Sequence, residues 1–280
     1  MQTLTIGNTT VPILGMGTWR LGETPSQRQN EIDALRYGLD HGVTVLDTAE
    51  IYGEGASETL VGEAIDQYAR DQVYLVSKFA PWHASSTAIK TALEGSLKRL
   101  GVDYLDLYLY HWRGETPLAE SFATLQALKQ EGLIRAYGVS NFSAADLAET
   151  AAVPGGEAVV ADELYYNFDK RSLEYSLKPD LIKKGITTIG YSPFGSGDGG
   201  RITLPQSLVD LAHDKGLTPH QLMLAWTLRD GDVLSIPKAS TVAHMKANMV
   251  VIGTTFSQDE LRLIDQTYPR PTADSPFEMM

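Results

Sequence analysis

Short, nearly unbroken apolar runs alternate along this chain with longer stretches in which apolar residues return every three or four positions. The runs are "ILGMGT" (13–18), "VTVLDT", "VYLVSK", "LDLYLYH", "RAYGVSN", "VVADE", "TTIGYS" and "VLSIPK". Runs of this length, rich in Val, Ile and Leu, read as strands buried on both faces of a parallel sheet. The spacing between them predicts helices over roughly 26–41, 57–70, 86–100, 117–131, 143–150, 172–184 and 206–229, the last as two helices. In the first of these, Ile32, Leu35 and Leu39 fall on one helical face. Eight strand-then-helix units without a linker favour an α/β fold of the closed (β/α)8 TIM barrel type, spanning 1–280 as one domain. Ahead of it, "TLTIGNTTVPIL" reads as a β-hairpin turning at Gly7-Asn8 and capping the barrel floor.

Composition narrows the function classes. The 280 residues suit a barrel of about 250, and 43% hydrophobic content supports a large core. With no cysteine there is neither a disulfide nor a thiolate metal site. No metal-binding motif or serine-nucleophile elbow appears. The N-terminus lacks a basic start and a long apolar core, and no run approaches about 18 apolar residues. The expectation is a cytoplasmic monomer without a membrane partner. A net charge of −12 argues against a nucleic-acid surface, so an anionic ligand needs locally placed cations.

Candidate chemistry lies at the strand ends. Asp47 closes one apolar run, Lys78 the next and His111 the one after, while Tyr52 follows Asp47 within a loop. In a parallel barrel those ends converge on the face that carries active sites. Taken singly, each has an ordinary reading: an aromatic loop residue, a structural ion pair, a hydrogen-bonded core histidine. Together they suggest an acid–base site. Paired acids among Asp47, Glu50 and Glu163 leave a glycoside hydrolase as an alternative, though one with no role for Tyr52 and Lys78. Gly195, Gly197 and Gly200 satisfy G-x-G-x-x-G, but "RITLPQ" separates them from the next helical run. They read as a flexible loop after the seventh barrel strand rather than a dinucleotide fold.

The strings "LDTAEIYG", "LVSK", "LDLYLYHW", "GVSNF", "YSPF" and "IPKAS…N" occur in that order between about 46 and 248. In this order they resemble the aldo-keto reductases, with the nearest likeness to bacterial members that reduce 2-oxoaldehydes such as methylglyoxal. The resemblance implies NADPH-dependent reduction of small carbonyl compounds, with NADH as a second cofactor. It makes Tyr52 the acid that protonates the carbonyl oxygen. Lys78 would lower the tyrosine pKa from about 10, Asp47 would hold Lys78, and His111 would donate a hydrogen bond to the same oxygen.

The resemblance also implies a cofactor site. Ser140 and Asn141 match the pair that bonds the nicotinamide carboxamide, and Tyr191 matches the aromatic that stacks on its ring. Thr18, Trp19, Asp47, Ser192, Phe194 and Gly195 complete that end of the site. Lys238, Ala239, Ser240, His244 and Asn248 form the adenosine end, where Lys238 matches a 2′-phosphate ligand and Asn248 an adenine contact. Two positions depart from the family. Glu163 stands where the family has glutamine; an ionised glutamate accepts but cannot donate, and its charge favours the oxidised, cationic nicotinamide. His244 stands in place of an arginine, which predicts an NADPH preference that is softened and strengthens at lower pH. For substrate, Trp19, Trp82 and Trp112 with Tyr52 and His111 sketch an aromatic pocket. A module that senses the cofactor without turnover is the remaining alternative.

Overall fold

The computed structural model describes residues 1–195, 202–274 and 278–279. A hairpin of β1 (Thr3–Ile6) and β2 (Thr9–Pro12) comes first. There follow β3 (Met16–Gly17), β4 (Val45–Asp47), β5 (Tyr74–Phe79), β6 (Leu105–Tyr110), β7 (Ile134–Ser140), β8 (Ala161–Tyr165), β9 (Thr187–Tyr191) and β10 (Val233–Ser235). These eight pair in sequence order, all parallel, from β3 to β10. Parallel bridges Leu14↔Ser235 and Gly17↔Lys238 join the last strand to the first and close the barrel. The first barrel strand is thus shorter than its apolar run, with Leu14 reached only by a bridge.

Helices α1 (Arg28–Asp40), α2 (Ala56–Ile65), α3 (Ser86–Leu100), α4 (Leu118–Gln130), α5 (Ala144–Ala151), α6 (Leu177–Lys184), α7 (Gln206–Asp214) and α8 (Pro219–Thr227) surround the strands. On α1 the expected stripe of Ile32, Leu35 and Leu39 is buried. Two predicted helices are cut short, each by arginine chemistry. The 57–70 segment leaves the helix at Ile65, and beyond it Arg70 is drawn to the Val73 and Tyr104 carbonyls and to Asp106. In the 172–184 segment, Arg171 and Arg229 both clamp Glu174 at 2.8 Å, and their guanidinium groups lie over the Trp226 ring. That cluster holds a separate turn, Ser172–Glu174, ahead of α6. Helices α9 (Val242–Met249) and α10 (Gln258–Thr267), which the apolar pattern did not single out, follow β10.

Two apolar layers result. The larger lies between strands and helices. The smaller fills the barrel: Val45, Val76, Leu109, Ala161 and Ile189 meet Ile6 and Val11 of the hairpin. The hairpin therefore closes the floor, as expected. Among the described residues no helix is long and apolar enough to cross a membrane. Of the glycine triplet, Gly195 is described and takes a left-handed φ of 69°; Gly197 and Gly200 lie outside the described residues.

Candidate active site

Side chains of a strand alternate between its two faces. Two residues beyond the interior layer of Val45, Val76, Leu109, Ala161 and Ile189 stand Asp47, Lys78, His111, Glu163 and Tyr191. The apolar layer and the polar group above it are thus one pattern, read at successive heights. At this end of the barrel the interior changes from aliphatic to titratable.

Lys78 is the hub. Its ammonium is fully buried (0% exposed) and donates to Asp47 Oδ1 at 2.6 Å and to the Thr48 carbonyl at 3.0 Å. It lies 3.5 Å from the Tyr52 hydroxyl and 3.3 Å from Glu163 Oε2. Burial works to strip its charge, but Asp47, Glu163 and Tyr52 together outweigh that and hold the lysine above its ordinary value. It is a permanent cation.

Tyr52 reaches Lys78 from a tight turn. Gly53, Glu54 and Gly55 follow it with φ of 56°, 54° and 89°, a left-handed sequence that glycine tolerates and that reverses the chain into α2. The Tyr52 ring meets His111 edge-on, with centroids 5.7 Å apart. Burial raises the tyrosine pKa above its ordinary 10; Lys78 pulls it down, while Asp47 and Glu163 push it up. The expected lowering by Lys78 is therefore present as a force but is outweighed. Although Tyr52 as a residue is half-buried, its hydroxyl lies beside the buried ammonium, where desolvation dominates. His111 is pushed well below 6.5, by burial first and by Lys78 second, so its imidazole is neutral at pH 7.

Glu163 departs from its expected state. Burial, then the neighbouring Asp47 carboxylate, drive its pKa well above the carboxylate range, against the pull of Lys78. Once protonated it is a carboxylic acid, with a donor and an acceptor much as an amide has. Its neighbour Asp162 alternates to the outer face of β8, also fully buried.

A shelf of polar groups borders this cluster. The Tyr191 hydroxyl donates to Asn141 Oδ1 at 2.8 Å, and Asn141 Nδ2 donates to the His111 carbonyl at 3.2 Å and to Ser140 Oγ at 3.0 Å. Ser140 donates onward to the Glu163 carbonyl at 3.0 Å. Asn141 and Ser192 take positive φ of 57° and 53° at the ends of β7 and β9, the strain that clusters at binding sites. Tyr191 lies flat on Tyr165, with centroids 5.3 Å apart and planes 1° apart. Tyr165 was not among the expected residues, yet it lies two positions beyond Glu163, so strand alternation points to it. Thr18 is buried and donates to the Asp47 carbonyl at 2.8 Å. Phe194 meets His220 edge-on, next to Gly195.

The expected adenosine end forms around α9. Lys238 is exposed beside buried Ala239; Ser240 follows, and Thr241 caps the helix by accepting from the His244 amide. His244 is exposed in the first turn of α9, where free amides and the helix dipole favour anions. Asn248 is buried one turn on, with no partner for Nδ2 among the described residues. The Lys238 ammonium, helix amides and an orphaned amide donor form a set that fits an adenosine phosphate.

The tryptophans divide. Trp112 meets His111 at 4.8 Å and Trp82 at 5.7 Å, both edge-on. Trp19 instead lies under the Arg20 guanidinium. Trp82 is 63% exposed, so a core role is excluded. Trp82→Ala should leave stability unchanged to within about 0.5 kcal/mol and raise KM for aromatic carbonyls about tenfold. Urea denaturation and steady-state kinetics check both, and an unchanged KM would remove Trp82 from the pocket. Glu50, the third acid of the hydrolase alternative, accepts from the Ala80 amide at 2.7 Å and contacts His83 Nδ1 at 2.8 Å. It is not paired with Asp47 or Glu163, which both face Lys78.

Fold and site together define a barrel with the makings of an acid–base site, a tyrosine hydroxyl beside a fixed cation. The chain matches the Aldo/keto reductase family over residues 13–269 and belongs to that family. It is 38% identical to methylglyoxal reductase YeaE of Escherichia coli K12 over 276 residues, covering 98% of this chain and 97% of that protein. Among solved structures, an aldo-keto reductase from Klebsiella pneumoniae in complex with NADPH is 39% identical, with a TM-score of 0.95. The match covers 100% of this chain and 99% of that one. A Klebsiella pneumoniae aldo/keto reductase in complex with NADP and acetate is 40% identical, with a TM-score of 0.94 over 100% and 99% of the two chains.

Proposed function

We propose that this protein reduces small aldehydes and ketones to alcohols with NADPH, with 2-oxoaldehydes such as methylglyoxal as its substrate class. We take it to act as a cytoplasmic, single-domain monomer with no nucleic-acid partner. The observation that carries the reading is the Tyr52 hydroxyl, 3.5 Å from a Lys78 ammonium that Asp47 holds at 2.6 Å.

A nicotinamide held here would supply a hydride for the carbonyl carbon. Tyr52 gives its proton to the carbonyl oxygen, and Lys78 stabilises the tyrosinate left behind. Asp47 holds the lysine in place. Neutral His111 donates an N–H to the same oxygen without adding a competing charge. Because burial raises the tyrosine pKa, Tyr52 keeps its proton through neutral pH and reduction has its acid ready. Alcohol oxidation needs the tyrosinate, so its rate rises as pH increases. Ser140, Asn141 and Tyr191 would seat the nicotinamide; Lys238, Ser240, His244 and Asn248 would hold the adenosine phosphate.

The test is loss of NADPH absorbance with methylglyoxal and with an aromatic aldehyde, repeated with NADH. Turnover of a carbonyl is the expected result. Cofactor binding without turnover would instead favour the sensing module. His244→Arg should raise the NADPH-over-NADH preference about tenfold, because arginine offers phosphate a fixed charged fork. An unchanged preference in the variant would contradict that role.

A further inference from the structure

Lys78 Nζ contacts two carboxyl groups, Asp47 Oδ1 at 2.6 Å and Glu163 Oε2 at 3.3 Å, and all three side chains are buried. Asp47 Oδ2 and Glu163 Oε2 accept no hydrogen bond among the described residues. One cation cannot neutralise two buried carboxylates, and like charges sharing a site do not both ionise. A proton therefore resides on the carboxyl pair. Asp47 has the shorter contact and the charge-assisted hydrogen bond, which places the proton on Glu163.

We propose that Glu163 is a positioning residue of this site: its carboxyl is neutral at neutral pH, gives up its proton at higher pH, and then strengthens binding of oxidised relative to reduced cofactor. The inference rests on the proposed reductase function. Oxidised nicotinamide carries a positive charge and reduced nicotinamide does not, so a new negative charge in the floor of the site acts on one form alone.

The surrounding groups leave Glu163 as the one that changes. From β4 it faces Asp47, which Lys78 keeps paired. From β5 it faces Lys78 itself, held charged. Tyr52, after β4, keeps its proton because burial raises its pKa, and His111, after β6, is neutral because burial lowers its own. From β7 comes uncharged Ser140, and from β9 comes Tyr191, whose hydroxyl donates to Asn141. Burial, chiefly, raises the Glu163 pKa, so the release falls above the usual carboxylate range.

The experiment measures dissociation constants of NADP⁺ and NADPH by tryptophan fluorescence from about pH 6 to about pH 10, for the wild type and for Glu163→Gln. His244 and the 2′-phosphate act on both cofactors alike and cancel in the ratio. In the wild type, Kd for NADP⁺ divided by Kd for NADPH should fall about tenfold as pH rises. In Glu163→Gln the ratio should not change with pH. A flat wild-type ratio, or the same slope in both proteins, overturns the inference while leaving the reductase reading intact. Failure of the wild type to bind either cofactor overturns both. The wild-type profile decides even if the variant does not fold.

Discussion

Tyr52→Phe should lower kcat for carbonyl reduction by about a thousandfold or more, with Kd for NADPH changed by less than about twofold. The ring remains and its edge-on packing on His111, at 5.7 Å, is kept; only the proton donor is lost. A positioned general acid is worth about 10²–10⁴ in rate. His111 holds an N–H but is neutral, so it can polarise an oxygen without delivering a proton to it at comparable cost. Stopped-flow kinetics and fluorescence titration separate the two effects. A variant that loses cofactor binding in proportion to rate would show Tyr52 to be a binding residue instead.

Lys78→Met should abolish turnover and destabilise the fold by about 3–5 kcal/mol, because it leaves two buried carboxyls without their cation. The pH dependence of this loss distinguishes it from a simple packing defect. Without Lys78 nothing offsets the burial that raises Glu163, so its folded pKa lies further above that of the unfolded chain. A carboxyl with a raised folded pKa contributes stability that is complete below the unfolded value, about 4, and is lost as pH rises. The penalty of Lys78→Met should accordingly be larger at about pH 8 than at about pH 5. Urea denaturation of both proteins at the two pH values measures it. Equal penalties would mean that the carboxyls are not paired with Lys78 in solution.

Much of the site was legible in the sequence, and for a definite reason. Asp47, Lys78 and His111 are polar residues at the ends of apolar runs, and strand alternation places them above Val45, Val76 and Leu109 on the barrel interior. Tyr52 was read from its motif, and the glycines on either side of Glu54 carry the left-handed turn that presents it. The contact between Glu163 and Lys78 was not legible. Strands β6 and β7 lie between β8 and β5, so the contact exists only because the closed sheet curves across its own interior. The protonation states also depend on that curvature: nothing local to Glu163 or Tyr52 reveals that desolvation exceeds the pull of Lys78. Helix α10 had a readable start in Ser257 and Glu260, which form a capping box. Its mostly exposed face, with Ile264 as its fully buried residue, offered the apolar pattern too little to register.

Whether this protein moves a hydride from cofactor to carbonyl is decided by following the hydrogen itself. NADPH with both hydrogens at nicotinamide C4 replaced by deuterium would be turned over with methylglyoxal and the alcohol examined by mass spectrometry and NMR. Direct transfer predicts one deuterium on the carbon that had been the carbonyl, with NADP⁺ formed in equal amount. Alcohol without label at that carbon, or no alcohol while NADPH stays bound and intact, would contradict it.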